Sequence, residues 1–272
     1  MHAFLEITRP FNCLMAGIAT FIGSSVALGS MAFNSQTFYA IIAVMLVCAG
    51  GQTINDYFDR RVDKKLSPKK PIPSGRISPF AALGYALVLF VLGIWVASLI
   101  HFTAWLIALG FSVLLFAYSA FMTRVKYLGN IVVALGTAFT FIFGASVVGN
   151  YYLVGIFAGM AFLANWAREI AKDLADMKED KGYKRTLPLM AGERFGVNAV
   201  YVLTMATMAL AYYPFLAGLT HWIYVVLATL ANWGFYWSLV QLRKKHYAIS
   251  HNASKKSMAF ALIAFLSTLI GR

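Results

Sequence analysis

Charge is scarce in this chain, and negative charge most of all. Asp, Glu, Lys and Arg together make up only 12% of the 272 residues; ten residues are acidic, and six of those are aspartate. With 60% hydrophobic residues and a mean hydropathy of +0.71, this composition excludes an ordinary soluble domain and points to an integral membrane protein. Cysteine is almost missing. Cys13 and Cys48 both lie inside apolar runs, which argues against a disulfide framework or a thiolate metal site and leaves them as small buried hydrophobes. No glycine-rich phosphate loop is found. Gly50-Gly51 fits neither a P-loop nor a dinucleotide fingerprint, so a nucleotide is not the expected ligand. The five histidines, His2, His101, His221, His246 and His251, are scattered without metal spacing and read as interfacial residues. The first ten residues carry Glu6 and Arg9 without a short apolar core and small-residue cleavage site, so no removed signal peptide is expected.

What the chain does have is apolar length. Taking about 20 residues to cross a hydrocarbon core of about 30 Å, nine spans are expected, near 11–32, 37–59, 79–100, 102–122, 128–148, 151–173, 193–215, 219–241 and 254–271. The expected fold class is therefore all-α, a polytopic membrane protein formed by residues 1–272 as one domain. The connections after spans one, three, five and seven lack Lys and Arg, and the side that includes Arg9 holds 22 of the 23 basic residues. The positive-inside rule then puts the N-terminus and every basic loop in the cytoplasm of a cell-membrane protein. All ten acidic residues fall on that same side, so the net charge of +13 is largely topology, with a share for an anionic ligand or lipid head groups. It is not a nucleic-acid footprint.

The aspartates are the informative residues. Asp56, Asp59 and Asp63 close the second span, Asp173, Asp176 and Asp180 close the sixth, and no other aspartate exists. Within each group the second carboxylate follows at three residues and the third at seven, so each triplet is expected on one face of a helix at about 100° per residue. Three carboxylates on one face repel unless cations lie between them. Carboxylate oxygens are the ligands of a hard divalent ion, and Mg²⁺ takes its remaining ligands from substrate phosphates and water. All six aspartates are thus candidates for metal binding and catalysis. Asp59 and Asp176, in the middle positions, are the members expected to act through a neighbour, and Asn55 is expected to orient a carboxylate or a metal-bound water.

Beyond each cluster the chain repeats its character. Asp63 is followed after eight residues by Pro71 in a Lys-rich turn, and Asp180 after eight by Pro188, which suggests a weak internal duplication. Ser78-Pro79 supplies a cap and a first-turn proline for the third span. Two acidic helix ends flanked by Lys and Arg suit an anionic, oxygen-rich ligand. In a membrane, a diphosphate carrying an apolar tail fits best, and an allylic prenyl diphosphate has that form. Cations stabilise the departing diphosphate while an apolar chamber keeps water from the allylic cation. Phe139, Phe141, Phe143, Phe162 and Trp166 are candidates to face that cation or the tail. A divalent-cation transporter is the alternative of another class, because intramembrane carboxylates often mark ion paths. Against it, no ionisable residue lies in the opposite half of the membrane to complete a path.

The stretch Asn55 to Asp63, the Asp173–Asp180 stretch and Thr186-Leu187-Pro188 resemble the two motifs of the UbiA-type intramembrane prenyltransferases, and the resemblance runs over essentially the whole chain. It implies nine transmembrane helices around a central cavity, two Asp-rich motifs holding Mg²⁺ and a prenyl diphosphate, and transfer of the prenyl group to a lipid-like acceptor. Within the family, Leu5-Glu6-Ile7-Thr8-Arg9-Pro10-Phe11-Asn12-Cys13-Leu14 and the Pro71-Ile72-Pro73-Ser74-Gly75 turn are similar to the archaeal digeranylgeranylglyceryl phosphate synthases. That implies geranylgeranyl diphosphate as donor and geranylgeranylglyceryl phosphate as acceptor, with aromatic acids or haem as acceptors elsewhere in the family. Lys70 stands where the family often has arginine. Thr123-Arg124 replaces a frequent lysine pair after Tyr118-Ser119, which makes Arg124, with Lys126 in reserve, the candidate for diphosphate. Lys172 and Lys184 join Lys70 in that role, Tyr118 is a further substrate-binding candidate, and Arg9 and Asn12 are candidates for the acceptor's head group.

Overall fold

Every regular element among the described residues is a helix. The computed structural model describes residues 3–31, 34–122 and 125–270, excepting the side chains of Met122 and Lys126. In chain order the helices are α1 (Ala3–Ile7), α2 (Pro10–Leu28), α3 (Ser35–Leu66), α4 (Pro79–Ser98), α5 (Phe102–Met122), α6 (Lys126–Ser146), α7 (Tyr152–Ala175), α8 (Met177–Asp180), α9 (Leu187–Ala191), α10 (Glu193–Leu210), α11 (Tyr213–Leu216), α12 (Trp222–Arg243) and α13 (Tyr247–Ser267).

Eight of them are long and apolar enough to cross a membrane: α2 to α7, α10 running on into α11, and α12. With such a set of apolar spans, the protein is a multi-pass membrane protein. The expected ninth, α13, has the length but not the composition. It begins at Tyr247, about two turns before the expected 254, and its first half carries His251, Asn252, Ser254, Lys255, Lys256 and Ser257. Those polar residues make its spanning stretch less apolar than those of the other long helices, although it packs against α12, α7 and α2. Apolar side chains such as Trp233, 73% exposed, and Val202, 68% exposed, point away from the bundle, as a lipid-facing surface requires.

Helix ends follow local chemistry. The Asn34 side chain accepts from Thr37 N at 2.8 Å and starts α3, and Ser78 accepts from Ala81 N at 3.2 Å with Pro79 at the first turn of α4, both as capping predicts. Arg9 takes a left-handed φ of 50° before Pro10, so the short α1 folds back from the entrance of α2.

Contacts run around a ring: α2 meets α3, α5 meets α6, α6 meets α7, α7 meets α10 and α13, and α13 returns to α2. Helix α4 packs behind α3 and adds nothing to the central cavity. Small residues set the tightest crossing, between α2 and α6. A Cβ on Gly23 would sit 2.3 Å from Phe141 O, and one on Gly144 would sit 2.1 Å from Thr20 O. Ser24 Oγ donates to Gly144 O at 2.9 Å and Thr20 Oγ1 to Thr140 O at 3.2 Å, which is how small polar residues join helices inside a bilayer. On the side away from the aspartates the cavity is floored by Phe141, Tyr224 and Phe265, with Phe157 stacked behind Phe265 at 4.1 Å between centroids.

Candidate active site

Helix α3 runs without a break through Leu66, so Asp56, Asp59 and Asp63 share one face, as their spacing predicts. Two are pinned by cations. Asp56, 4% exposed, accepts from Arg9 Nη2 at 2.7 Å, and Lys70 Nζ lies 3.3 Å from Asp56 Oδ1 and 2.7 Å from Asp63 Oδ2. Buried carboxylates of this kind need such partners, because an unpaired charge out of water costs several kcal/mol. The cations arrive on a clasp made of α1 and the turns after α3. Arg76 holds both oxygens of Glu6, at 2.5 and 2.9 Å, and donates to Lys69 O at 2.7 Å. Ile7 packs beneath with Ile72 and Ile77. The Arg76 guanidinium keeps the Glu6 carboxyl below its ordinary range.

The second cluster departs from the expected single helical face. Helix α7 stops at Ala175; Asp176 donates its N–H to Lys172 O at 3.0 Å and accepts from Asp180 N at 2.9 Å. Asp176 thus ends one helix and opens the turn of α8. Asp173 remains on α7, fully buried, and accepts from Asn130 Nδ2 of α6 at 2.6 Å. Asp180 lies beyond the break and holds Lys184 Nζ at 3.1 Å.

A cavity of about 730 Å³ lies inside the ring, within the range of roughly 300–1,000 Å³ typical of ligand pockets. Of the expected site residues, Arg9, Asn12, Asn55, Asp59, Tyr118, Lys172 and Lys184 line it. Asn55 Nδ2 donates to Asp59 Oδ2 at 3.2 Å. Asp56, Asp63, Asp173, Asp176, Asp180 and Lys70 lie outside its lining, in the wall at its polar end. Arg124 falls outside the described residues, as does the side chain of Lys126. Phe139, Phe141 and Phe143 line the cavity as expected. Phe162 and Trp166 do not; they pack on each other at 5.6 Å, because Trp166 turns toward the apolar cluster of Ala167, Ile170 and Leu239.

Several polar residues missed by sequence reasoning also line the cavity: Gln52, Asn130, Asn165, Arg168, Glu169, Asn232, His251 and Lys255. Their signal was available, since polar groups within apolar spans face cavities by default. On α7, Arg168 pairs with Glu169 and donates from Nε to Asn165 Oδ1 at 3.0 Å, and Asn165 in turn donates to Thr137 Oγ1 at 2.7 Å.

The donor set fits Mg²⁺ better than a metal held wholly by protein. Among the described residues no three Asp, Glu, His or Cys side chains converge on one point. Two carboxylates do converge, on the ammonium of Lys70, a cation standing between Asp56 and Asp63. Pairs of carboxylate oxygens with open positions for water and phosphate are how Mg²⁺ is usually bound.

Residues 16–267 match the UbiA prenyltransferase family. A digeranylgeranylglyceryl phosphate synthase of Thermococcus kodakarensis is 38% identical over 269 residues, 97% of this chain and 96% of the relative. One of Methanopyrus kandleri is 36% identical over 280 residues, 99% of this chain and all of the relative. A solved structure of a digeranylgeranylglyceryl phosphate synthase superposes with a TM-score of 0.85 at 27% identity, covering 99% of this chain and 98% of that one. The structure of a UbiA homologue from Archaeoglobus fulgidus bound to GPP and Mg²⁺ has the same fold, with a TM-score of 0.75 at 20% identity, covering 97% of this chain and 99% of that one. With the family match running over nearly the whole length and an all-helical bundle enclosing a cavity, the chain belongs to the UbiA prenyltransferase family.

Proposed function

We propose that residues 1–272 form one Mg²⁺-dependent prenyltransferase domain that transfers a geranylgeranyl group from geranylgeranyl diphosphate to the free hydroxyl of geranylgeranylglyceryl phosphate. One observation carries this reading: the cavity is polar at one end, with Asn55, Asp59, Lys172 and Lys184, and apolar at the other, with Phe141, Phe265 and Leu262. A diphosphate head and a prenyl tail divide in the same way. The relatives' names supply the acceptor.

In this reading the six aspartates would hold Mg²⁺, which when bound would supply positive charge opposite the diphosphate. Lys70 and Lys184, with Arg124 and Lys126, bind diphosphate oxygens, and Tyr118 borders them. Arg9 and Asn12 stand at the entrance used by the acceptor. The allylic C–O bond of the donor breaks, the electron pair leaves with the diphosphate, and the acceptor's hydroxyl oxygen bonds to the freed carbon. Its proton passes to an oxygen of the departing diphosphate. The apolar walls keep out water, which would otherwise capture the cation.

Purified protein given Mg²⁺, geranylgeranyl diphosphate and a panel of geranylgeranylglyceryl phosphate, 4-hydroxybenzoate and haem should alkylate the first, as read by product mass. Product from either of the others alone would move the protein to a different branch of the family. A transporter would leave the donor intact in detergent.

The orientation carries a prediction of its own. The basic asymmetry places the N-terminus and both Asp-rich stretches in the cytoplasm. Cysteines introduced beside Lys69, Lys184 and Lys244, in a background lacking Cys13 and Cys48, should label only from the cytoplasmic face. Labelling of any one from outside would overturn the orientation.

A further inference from the structure

The proposed reaction brings two anions together, since the acceptor carries a phosphate as well as the hydroxyl that reacts. Two such groups in neighbouring positions repel strongly away from bulk water, so the second anion needs cations that are not already neutralised. Arg9, Lys70 and Lys184 are each held by an aspartate. Arg168 is held by Glu169.

A different set faces the cavity from α13 and α7. His251 and Lys255 are one turn apart on α13 and Lys172 lies on α7, all three lining the cavity. Neither Lys172 nor Lys255 makes an ion pair among the described residues. His251 Nδ1 is buried without a hydrogen-bond partner, and the ring lies in the field of Arg168 and Lys172, with Glu169 and Asp176 acting against them. The ring itself lines the cavity, where an imidazole N–H can donate to a phosphate oxygen. Lys255 Nζ lies 5.4 Å from the ring centre of Phe11, in the first turn of α2. Lys172 precedes Asp173 on α7, so this set adjoins the proposed diphosphate end without sharing its carboxylates. Lys256 is a built-in contrast: it is next in sequence and exposed, but it does not line the cavity.

Resting on the function proposed above, we infer that Lys255 and His251, with Lys172 standing between the two anions, bind the phosphate of the acceptor lipid. The free hydroxyl of the acceptor is thereby turned toward the donor's reacting carbon, and acceptors bearing a phosphate are chosen over the corresponding alcohol.

The test uses the full-length protein in detergent with geranylgeranyl diphosphate and either geranylgeranylglyceryl phosphate or its dephosphorylated alcohol. Lys255→Ala should raise KM for the phosphorylated acceptor at least about tenfold, the scale of one charge-assisted contact. KM for the donor should stay within about twofold, as for a contact made equally before and during reaction. The preference for phosphorylated acceptor over alcohol should fall by the same factor. Lys255→Arg should restore most of it, and Lys256→Ala should change nothing. An unchanged preference in Lys255→Ala, or an equal rise in KM for both substrates, overturns the assignment. Equilibrium binding of geranylgeranylglyceryl phosphate without donor or Mg²⁺ separates this inference from the reaction itself. Tight binding by the wild type that is lost in Lys255→Ala, but without turnover, would refute the proposed function and leave the phosphate site standing. Failure of the wild type to prefer the phosphorylated lipid over the alcohol in binding refutes the site.

Discussion

Replacing Asp173 with asparagine is expected to lower kcat by at least about 10²-fold, the usual cost of removing one preorganised group that stabilises charge in a transition state, while the protein stays folded. Asparagine is the informative choice. Its side-chain oxygen can still accept from Asn130 Nδ2, now 2.6 Å from Asp173 Oδ2, so that buried hydrogen bond survives while the negative charge is lost. Asp56→Asn should behave alike, because Arg9 and Lys70, with side chains 40% and 29% exposed, can turn to water when the carboxylate is neutralised. Asn130→Ala should cost less, about 10 to 100-fold, as removal of a residue that orients a ligand does. EDTA should abolish turnover in the wild type and added Mg²⁺ restore it. Product formation followed alongside the thermal midpoint checks the series. Near wild-type rates for Asp173→Asn at saturating Mg²⁺ would refute the two-cluster mechanism.

Much of this site can be read from residue spacing because α3 is one continuous helix from Ser35 to Leu66. Offsets of three and seven on such a helix fix a shared face whatever the rest of the chain does. The same reasoning misplaced the second cluster, because nothing in the spacing of Asp173, Asp176 and Asp180 reveals that the helix ends between the first and second of them. Long-range pairing was equally hidden. Arg9 and Asp56 are 47 residues apart, and their contact depends on the Glu6–Arg76 clasp, whose partners are 70 apart. His251 has no metal spacing in the sequence, and Lys255 is there one basic residue among 23. Their position on the cavity side of α13 follows from how that helix packs between α12, α7 and α2, which no local pattern encodes. Helix α13 shows the same conflict: the polar residues that make it less apolar than the other spans include His251 and Lys255, which line the cavity.

Gly144→Val is expected to be the most damaging single change outside the aspartates. The crossing of α2 and α6 brings Thr20 O within 2.1 Å and Ser24 N within 2.8 Å of where a Cβ would be. Both are backbone atoms of a long helix, so neither can move aside as a flexible side chain would. Overpacking a rigid site costs about 1–3 kcal/mol for small insertions, and a branched side chain here should reach the upper end. Separation of the helices would also lengthen the bonds from Ser24 Oγ to Gly144 O and from Thr20 Oγ1 to Thr140 O, now 2.9 and 3.2 Å. A functional loss should accompany the loss of stability, since Ala16 and Ala19 of α2 and Thr140 and Phe141 of α6 form one wall of the cavity. Forcing that wall apart admits lipid or water where the allylic cation forms. Gly155→Ala is the matched control: a Cβ there meets nothing within 4 Å, so its midpoint and rate should stay at wild-type values. Thermal midpoints in detergent for Gly144→Val, Gly144→Ala and Gly155→Ala should therefore rank in rising order. A midpoint for Gly144→Val equal to that of Gly155→Ala would mean that α2 and α6 do not cross this closely.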